Sequence, residues 1–160
     1  MHPNGPFHAS GFSRALVLIA GSGLMGLGMM ARVLGAGPTP EAIGKLPPPA
    51  SRSIDFRKDV QPILEAGCVK CHGRGKANGD WKLDTRETFL QPAESGLAVV
   101  VGDSARSHFI HLVAGTDPDS VMPQKGTKLT AEQVGILRAW VDQGLKWDPQ
   151  VTFAQPPANN

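Results

Sequence analysis

The most regular pattern of apolar and polar positions lies near the C-terminal end of the chain and predicts a helix. Thr130 and Gln133 have the spacing of a capping box, in which both side chains bond the free backbone N–H groups at a helix start. Gly144 is a typical residue just beyond a helix end. The apolar positions between the two ends fall on one helix face: Val134, Leu137, Trp140 and Val141.

A second helix is predicted closer to the N-terminus. Asp59 can cap its start, and Pro62 is tolerated because it falls within the first turn. Gly67 is expected to end this helix. Its apolar positions are Val60, Ile63 and Leu64.

Between these two helices the pattern is less regular. Residues 104–113 can form a further helix, with Phe109, Leu112 and Val113 facing inward. The β-branched run at 97–101 fits either a short strand or a buried loop. Helices joined by long irregular loops are unusual in a small domain, unless a bound group fills part of the core.

The N-terminal part of the chain differs in composition from the rest. Residues 15–31 are uncharged and mostly apolar, with Arg14 before them and Arg32 after them, as in a signal sequence or an N-terminal membrane anchor. Both interpretations stay open, because the run is short for a bilayer span and the cleavage site is not clean. The predicted organisation is a leader at 1–36, a Pro-rich linker at 37–53, a folded domain at 54–149 and a disordered tail at 150–160.

Charge excludes one class of partner. The formal net charge is +2, and without Arg14 and Arg32 the chain has 14 basic and 14 acidic residues. A neutral domain gives no electrostatic reason to expect binding to nucleic acid or to an anionic membrane surface.

The strongest chemical motif in the chain is Cys68-Val69-Lys70-Cys71-His72. C-x-x-C-H is the attachment site of a c-type haem: two thiols add to the vinyl groups of one porphyrin, and the imidazole binds the iron. A redox disulfide is the main alternative. A tetrahedral zinc site is disfavoured, because the chain has only two cysteines and no second C-x-x-C pair. One covalent haem c is therefore predicted, within an all-α fold of helices and long loops wrapped around it.

The sequence offers three candidates for the sixth iron ligand. Met122 is the one methionine outside the apolar leader, and Pro123 follows it in a stretch rich in turn formers. A thioether on such a loop can reach across a haem face. His108 and His111, three residues apart in a predicted helix, are the competing ligands.

Trp81 lies shortly after the attachment motif, and the sequence permits two roles for it. Its indole N–H is a candidate hydrogen-bond donor to a haem propionate. Alternatively, the ring packs at the rim of the haem pocket.

Several segments of the predicted domain occur in the order found in one known family. They are Ile54-Asp55-Phe56, Val60-Gln61-Pro62-Ile63-Leu64, Cys68 to Gly73, Leu83-Asp84-Thr85-Arg86, Glu94-Ser95-Gly96, Val101-Gly102-Asp103, Met122-Pro123, Leu129-Thr130-Ala131 and Trp140 to Gly144. These segments resemble the planctomycete-type cytochrome c domain. The resemblance implies a class I-like cytochrome c fold, in which the first and last helices cross beside the haem, with His72 and Met122 as axial ligands. Gln124 departs from the pattern, because the family often has a second proline after Met-Pro.

Two function classes follow from these motifs. In the first, the protein is an electron carrier and not an enzyme: both axial positions are filled, and single electrons pass between transient partner proteins. In the second, a labile sixth ligand leaves the iron open, as in a peroxidase-like enzyme or a sensor of small molecules. We expect a monomer in the bacterial periplasm or on the periplasmic face of a membrane, tethered through residues 15–31 if the leader is retained.

Overall fold

The computed structural model describes residues 37–155, and within that range the regular secondary structure is helical. The helices are α1 (Pro40–Gly44), α2 (Gln61–Gly67), α3 (Val69–His72), α4 (Arg86–Phe89), α5 (His108–Ala114) and α6 (Ala131–Asp142). A π-helical turn at Phe56–Val60 leads into α2, and single 3-10 turns lie at Asn78–Asp80, Ser104–Arg106 and Pro118–Ser120. Over residues 37–155 no strand is present beyond one isolated bridge, so the predicted all-α class is confirmed.

The predicted leader lies outside the described residues, as does the end of the predicted tail from residue 156. Among the helices of residues 37–155, none is both long and apolar enough to cross a membrane.

Helix α6 has the start and the buried face that its sequence predicts. The Thr130 hydroxyl accepts from the Gln133 N–H at 3.2 Å, and the Gln133 side chain accepts from the Thr130 N–H at 2.9 Å. All four residues of the predicted apolar face are buried. Gly144 follows the helix at φ 93°, a left-handed conformation that glycine adopts without strain.

The helical segment before the attachment motif begins earlier than the sequence predicts. Asp55, and not Asp59, is the N-cap: its carboxylate accepts from the Lys58 N–H at 2.9 Å. The Asp59 carboxylate accepts in turn from the Asp55 N–H at 2.8 Å, so both aspartates stabilise the first turn. The prediction of Asp59 as the cap was wrong, because two aspartates four residues apart both serve this turn and only the first has the extended backbone of a cap.

A cluster of aromatic rings forms the centre of the core. Phe89 lies in the middle of it, with its ring centroid 4.8 Å from that of Trp81, 5.3 Å from that of Phe109 and 5.4 Å from that of Trp140. Tilted and edge-to-face pairs at these distances add to the free energy gained by burying apolar area. This cluster joins α4, α5 and α6 behind the attachment motif.

The β-branched run at 97–101 is a loop. Ala98 and Val99 are buried in the core, whereas Leu97 and Val101 are 58% and 44% exposed. The Ala98 carbonyl accepts from the Phe109 N–H at 2.8 Å, which fixes the loop to the start of α5. Of the two structures that the sequence permits here, the buried loop is the one observed.

Residues 46–52, which we call the N-terminal strap, lie along α6 and belong to the stretch predicted as a linker. Leu46 is buried in the core, and the Ala50 N–H donates to the Gly135 carbonyl at 2.9 Å. The guanidinium of Arg138 donates to the Pro47 carbonyl, and the Gln143 amide donates to the Arg52 carbonyl at 2.8 Å. This stretch is therefore ordered by contacts with the last helix, which a proline-rich composition does not reveal.

The C-terminal stretch after residue 150 is also in contact with the domain. Phe153 is buried, its N–H donates to the Asp84 carbonyl at 2.9 Å, and its own carbonyl accepts from the Arg74 N–H at 2.7 Å. The contacts place residues 151–153 against the segment that follows the attachment motif.

Gly135 is expected to be the residue of α6 that is least tolerant of a side chain. A Cβ at this position would lie 2.7 Å from the Pro48 carbonyl oxygen, so the strap would have to move. We expect Gly135→Ala to lower the free energy of unfolding of the holoprotein by about 1–3 kcal/mol, as overpacking does. Thermal unfolding measures this, with Gly44→Ala as the matched control, because a Cβ at Gly44 would meet no atom within 4 Å. Equal stability of the two variants would show that the strap does not hold α6.

Candidate cofactor-binding site

The attachment motif forms a single helical turn at the end of α2. The Cys68 carbonyl accepts from the N–H groups of Cys71 and His72 at 3.1 and 3.0 Å, and α3 ends at His72. Gly73 follows with an extended backbone, and its N–H donates to the Val69 carbonyl at 3.0 Å. This turn brings the two sulfurs and the imidazole of the motif into one short structural unit.

The two cysteines are free thiols in different environments. Cys68 is buried and Cys71 is exposed. Burial, together with the neighbouring Cys71, raises the pKa of Cys68 to about 12. Cys68 is therefore protonated at neutral pH and would not be the attacking thiolate of a redox-active pair.

His72 is oriented by its surroundings as a metal ligand would be. Its Nδ1 lies 3.2 Å from the Trp81 carbonyl oxygen, and because that oxygen can only accept, Nδ1 carries the proton. The backbone is fixed as well, since the His72 carbonyl accepts from the Leu83 N–H at 2.8 Å. A ligating histidine commonly donates its second ring N–H in this way, which leaves Nε2 free to bind a metal.

The indole of Trp81 is engaged within the core. Its Nε1–H donates to the Phe89 carbonyl at 3.0 Å, and the ring is buried with its centroid 5.3 Å from the His72 ring. The indole N–H is thus used inside the domain and is not the propionate donor that the sequence suggests. The Trp81 backbone carbonyl accepts the hydrogen bond that orients the His72 ring. A pattern of side chains in the sequence cannot indicate such a backbone contact.

The segment around Met122 is tied to α5 and approaches the attachment motif. The Met122 N–H donates to the Leu112 carbonyl at 2.9 Å, its half-buried side chain packs against the core, and the Met122–Pro123 peptide bond is cis. A Cβ built on Gly67 would lie 3.5 Å from Pro123 Cγ. The residue after the predicted axial ligand therefore lies beside the residue that precedes Cys68.

A cavity of about 350 Å³ lies between α2 and the loop that follows Met122. Ile63, Ala66 and Gly67 line it from the helix, and Pro123 and Leu129 are among the residues that line it from the loop. The rest of the lining includes polar side chains: Lys125, Thr127, Lys128 and Gln133. The cavity borders both the attachment motif and the Met122 loop, although its lining does not include the ligating side chains themselves.

The competing histidines have different surroundings. His111 is buried, and both of its ring nitrogens are hydrogen-bonded: Nε2 lies 2.8 Å from the Ala105 carbonyl oxygen and Nδ1 lies 3.0 Å from the Thr116 hydroxyl. To bind iron it would have to give up one of these bonds while buried. Partial burial, with a smaller contribution from His111, lowers the pKa of His108. These two hydrogen bonds disfavour His111 as a ligand, whereas Met122 and His108 stay candidates for the sixth position.

The residues of the site fit an iron porphyrin better than a metal ion alone. Among residues 37–155, no group of three or more His, Cys, Asp or Glu side chains is placed to hold a metal ion. The attachment motif offers two free thiols and one oriented imidazole. The half-buried thioether of Met122 lies on the loop whose Pro123 approaches Gly67. Two thiols at this spacing suit addition to two vinyl groups, and imidazole with thioether is an established axial pair for haem iron.

Part of the chain matches a known protein family. Residues 68–126 match the family model described as Planctomycete cytochrome C. The matched stretch begins at the first cysteine of the attachment motif, includes Met122 and ends before α6. Neither the curated proteins nor the solved structures contain a match.

Proposed function

We propose that this protein is a mono-haem c-type cytochrome that carries single electrons between redox partner proteins, since residues 68–126 match the family model described as Planctomycete cytochrome C. The observation that carries the proposal is the orientation of His72 within the Cys68–His72 motif. Its Nδ1 is bonded to the Trp81 carbonyl, so the other ring nitrogen is available for iron. When bound, haem c supplies a reversible one-electron couple at its iron.

Each of the residues at such a site would have a separate role in binding the haem. Cys68 and Cys71 would hold the porphyrin through two thioether bonds, so that the group cannot dissociate when its charge changes. His72 and Met122 would be the two protein ligands of the iron. Trp81 would keep the imidazole in one tautomer, and the buried aromatic rings beside it would limit access of water. A dry pocket with a thioether ligand favours the reduced iron and so sets the potential.

The partners and the location are part of the same proposal. Haem attachment to cysteines belongs to the oxidising side of a bacterial membrane, so we place the domain in the periplasm or at the periplasmic face of a membrane. Contacts with donor and acceptor proteins are brief and small in area, as is usual in electron transfer. Because the chain outside Arg14 and Arg32 is electrically neutral, apolar contacts near the haem edge contribute more than long-range steering.

A spectrum of the holoprotein tests this function. The full chain, exported in a host that has haem maturation factors, is expected to give a six-coordinate, low-spin haem in both oxidation states. It is also expected to cycle reversibly with a one-electron titrant, and to bind neither carbon monoxide nor peroxide at a rate comparable with open haem sites, because both axial positions are filled. A high-spin haem that binds these ligands rapidly would instead support the peroxidase-like or sensor function.

A further inference from the structure

We propose that Gly115 is a positioning residue for Met122, because the left-handed turn at Gly115 holds the backbone of the ligand loop against the end of α5. This inference rests on the proposed role of Met122 as an axial ligand. Gly115 acts only through its neighbours, since the residues whose side chains would bind iron are elsewhere in the chain.

The first observation concerns how α5 ends. Gly115 is its C-cap, with φ 63° and ψ 37°, and its N–H donates to the carbonyls of His111 and Leu112. This conformation is strained for a residue with a Cβ, whereas glycine adopts it freely. The cap therefore fixes where the Leu112 carbonyl oxygen lies at the last turn of the helix.

The second observation is that the ligand loop returns to this cap. The same Leu112 carbonyl accepts from the Met122 N–H at 2.9 Å. One residue earlier, both Val121 methyl carbons lie 3.4 Å from the position of a Cβ on Gly115. The backbone of Met122 and the side chain before it thus both contact the residues that end α5.

The third observation is what holds the loop on its other side. After Met122, the Lys128 ammonium donates to the Pro123 carbonyl, and both Lys128 and the neighbouring Gln124 are exposed. An exposed lysine contributes little rigidity, because solvent competes for the ammonium and its long side chain loses freedom when it is held. Pro123 also lies beside Gly67, but the contacts with α5 are the ones that hold the Met122 backbone itself, so a change at Gly115 transmits to Met122.

The test is Gly115→Ala in the holoprotein. Alanine in a left-handed conformation is strained enough to shift the equilibrium between the closed and the open ligand loop about tenfold. We therefore expect the Met122 amide hydrogen of the reduced protein to exchange with solvent about tenfold faster. We also expect a weaker near-infrared sulfur-to-iron band and a lower reduction potential, while covalent haem attachment is retained. Gly102→Ala is the matched control: Gly102 has φ 84° and no atom within 4 Å of its Cβ position, so both readouts of the ligand should stay at wild-type values.

A rescue variant separates positioning from a general loss of structure. Asparagine tolerates the left-handed conformation, so Gly115→Asn should restore the band and the potential. Wild-type values of the band, potential and amide exchange in Gly115→Ala would overturn the inference, as would failure of Gly115→Asn to fold when Gly102→Ala folds. If wild-type protein itself lacks the band, the ligand assignment fails instead, and the amide exchange of Met122 still reports whether Gly115 holds the loop.

Discussion

Replacement of both Cys68 and Cys71 by alanine is expected to abolish covalent haem attachment. Each thioether bond needs one of these sulfurs, and the only cysteines of the chain are these two. After denaturing electrophoresis, the wild-type polypeptide should keep a peroxidase-type haem stain and gain the mass of one haem, whereas the double variant should show neither. Each single variant should give a low holoprotein yield with at most one thioether bond.

Lys70→Ala is the control for these cysteine variants. Lys70 lies between the two cysteines and is exposed, so its removal keeps the helical turn and both sulfurs. Its haem stain should equal that of the wild type. Isolation of the exported wild-type chain with a disulfide or with zinc, and without haem, would contradict the predicted cofactor.

Met122→Ala is expected to give the second large effect, a lower reduction potential with haem still attached. Loss of the thioether removes the ligand that favours reduced iron, and axial ligands change haem potentials over a range of about 0.8 V. The near-infrared sulfur-to-iron band should disappear with it. Both are measured on the purified holoprotein, by redox titration and by absorption of the oxidised form.

Alanine variants of the competing histidines complete this experiment. His108→Ala should keep the band and the potential, because that residue is not expected to bind iron. His111→Ala leaves the Ala105 carbonyl and the Thr116 hydroxyl without their partner, so it should lower stability while the band is kept. Absence of the band from the wild type, together with a six-coordinate low-spin spectrum that is lost in one of the two histidine variants, would transfer the ligand role to that histidine.

The features that could be predicted from the sequence depend mostly on residues that are close together in the chain. The capping box of Thr130 and Gln133 and the apolar face that follows it involve residues within three or four positions of each other, and all are found in α6. The attachment motif is equally local, since its spacing is a property of one helical turn. Patterns of this kind depend on helix geometry alone.

The parts that could not be predicted depend on backbone groups or on distant partners. The Trp81 carbonyl orients His72, yet every residue has a carbonyl and the sequence does not mark this one. Glycine is unfavourable inside a helix, so the sequence gives no reason for Gly135. The reason is the N-terminal strap, which leaves no room for a Cβ at this position. At 97–101 the same apolar run serves a strand or a buried loop, and the contact with Phe109 decides between them. The assignments of Cys68, Cys71, His72 and Met122 stay predictions until a holoprotein is studied.

The N-terminal strap has a consequence for the order in which the domain folds. The Pro47 carbonyl accepts a hydrogen bond from Arg138, and the Arg52 carbonyl accepts one from Gln143. The two partners are 91 residues apart in the sequence in each case. Contacts this distant are entropically costly to close, and they slow folding relative to local helices. The strap has no surface to pack on until α6 has formed at the opposite end of the domain. We therefore expect its docking to be a late step, and the helical turn that carries the cysteines can form before the two ends of the domain are in contact.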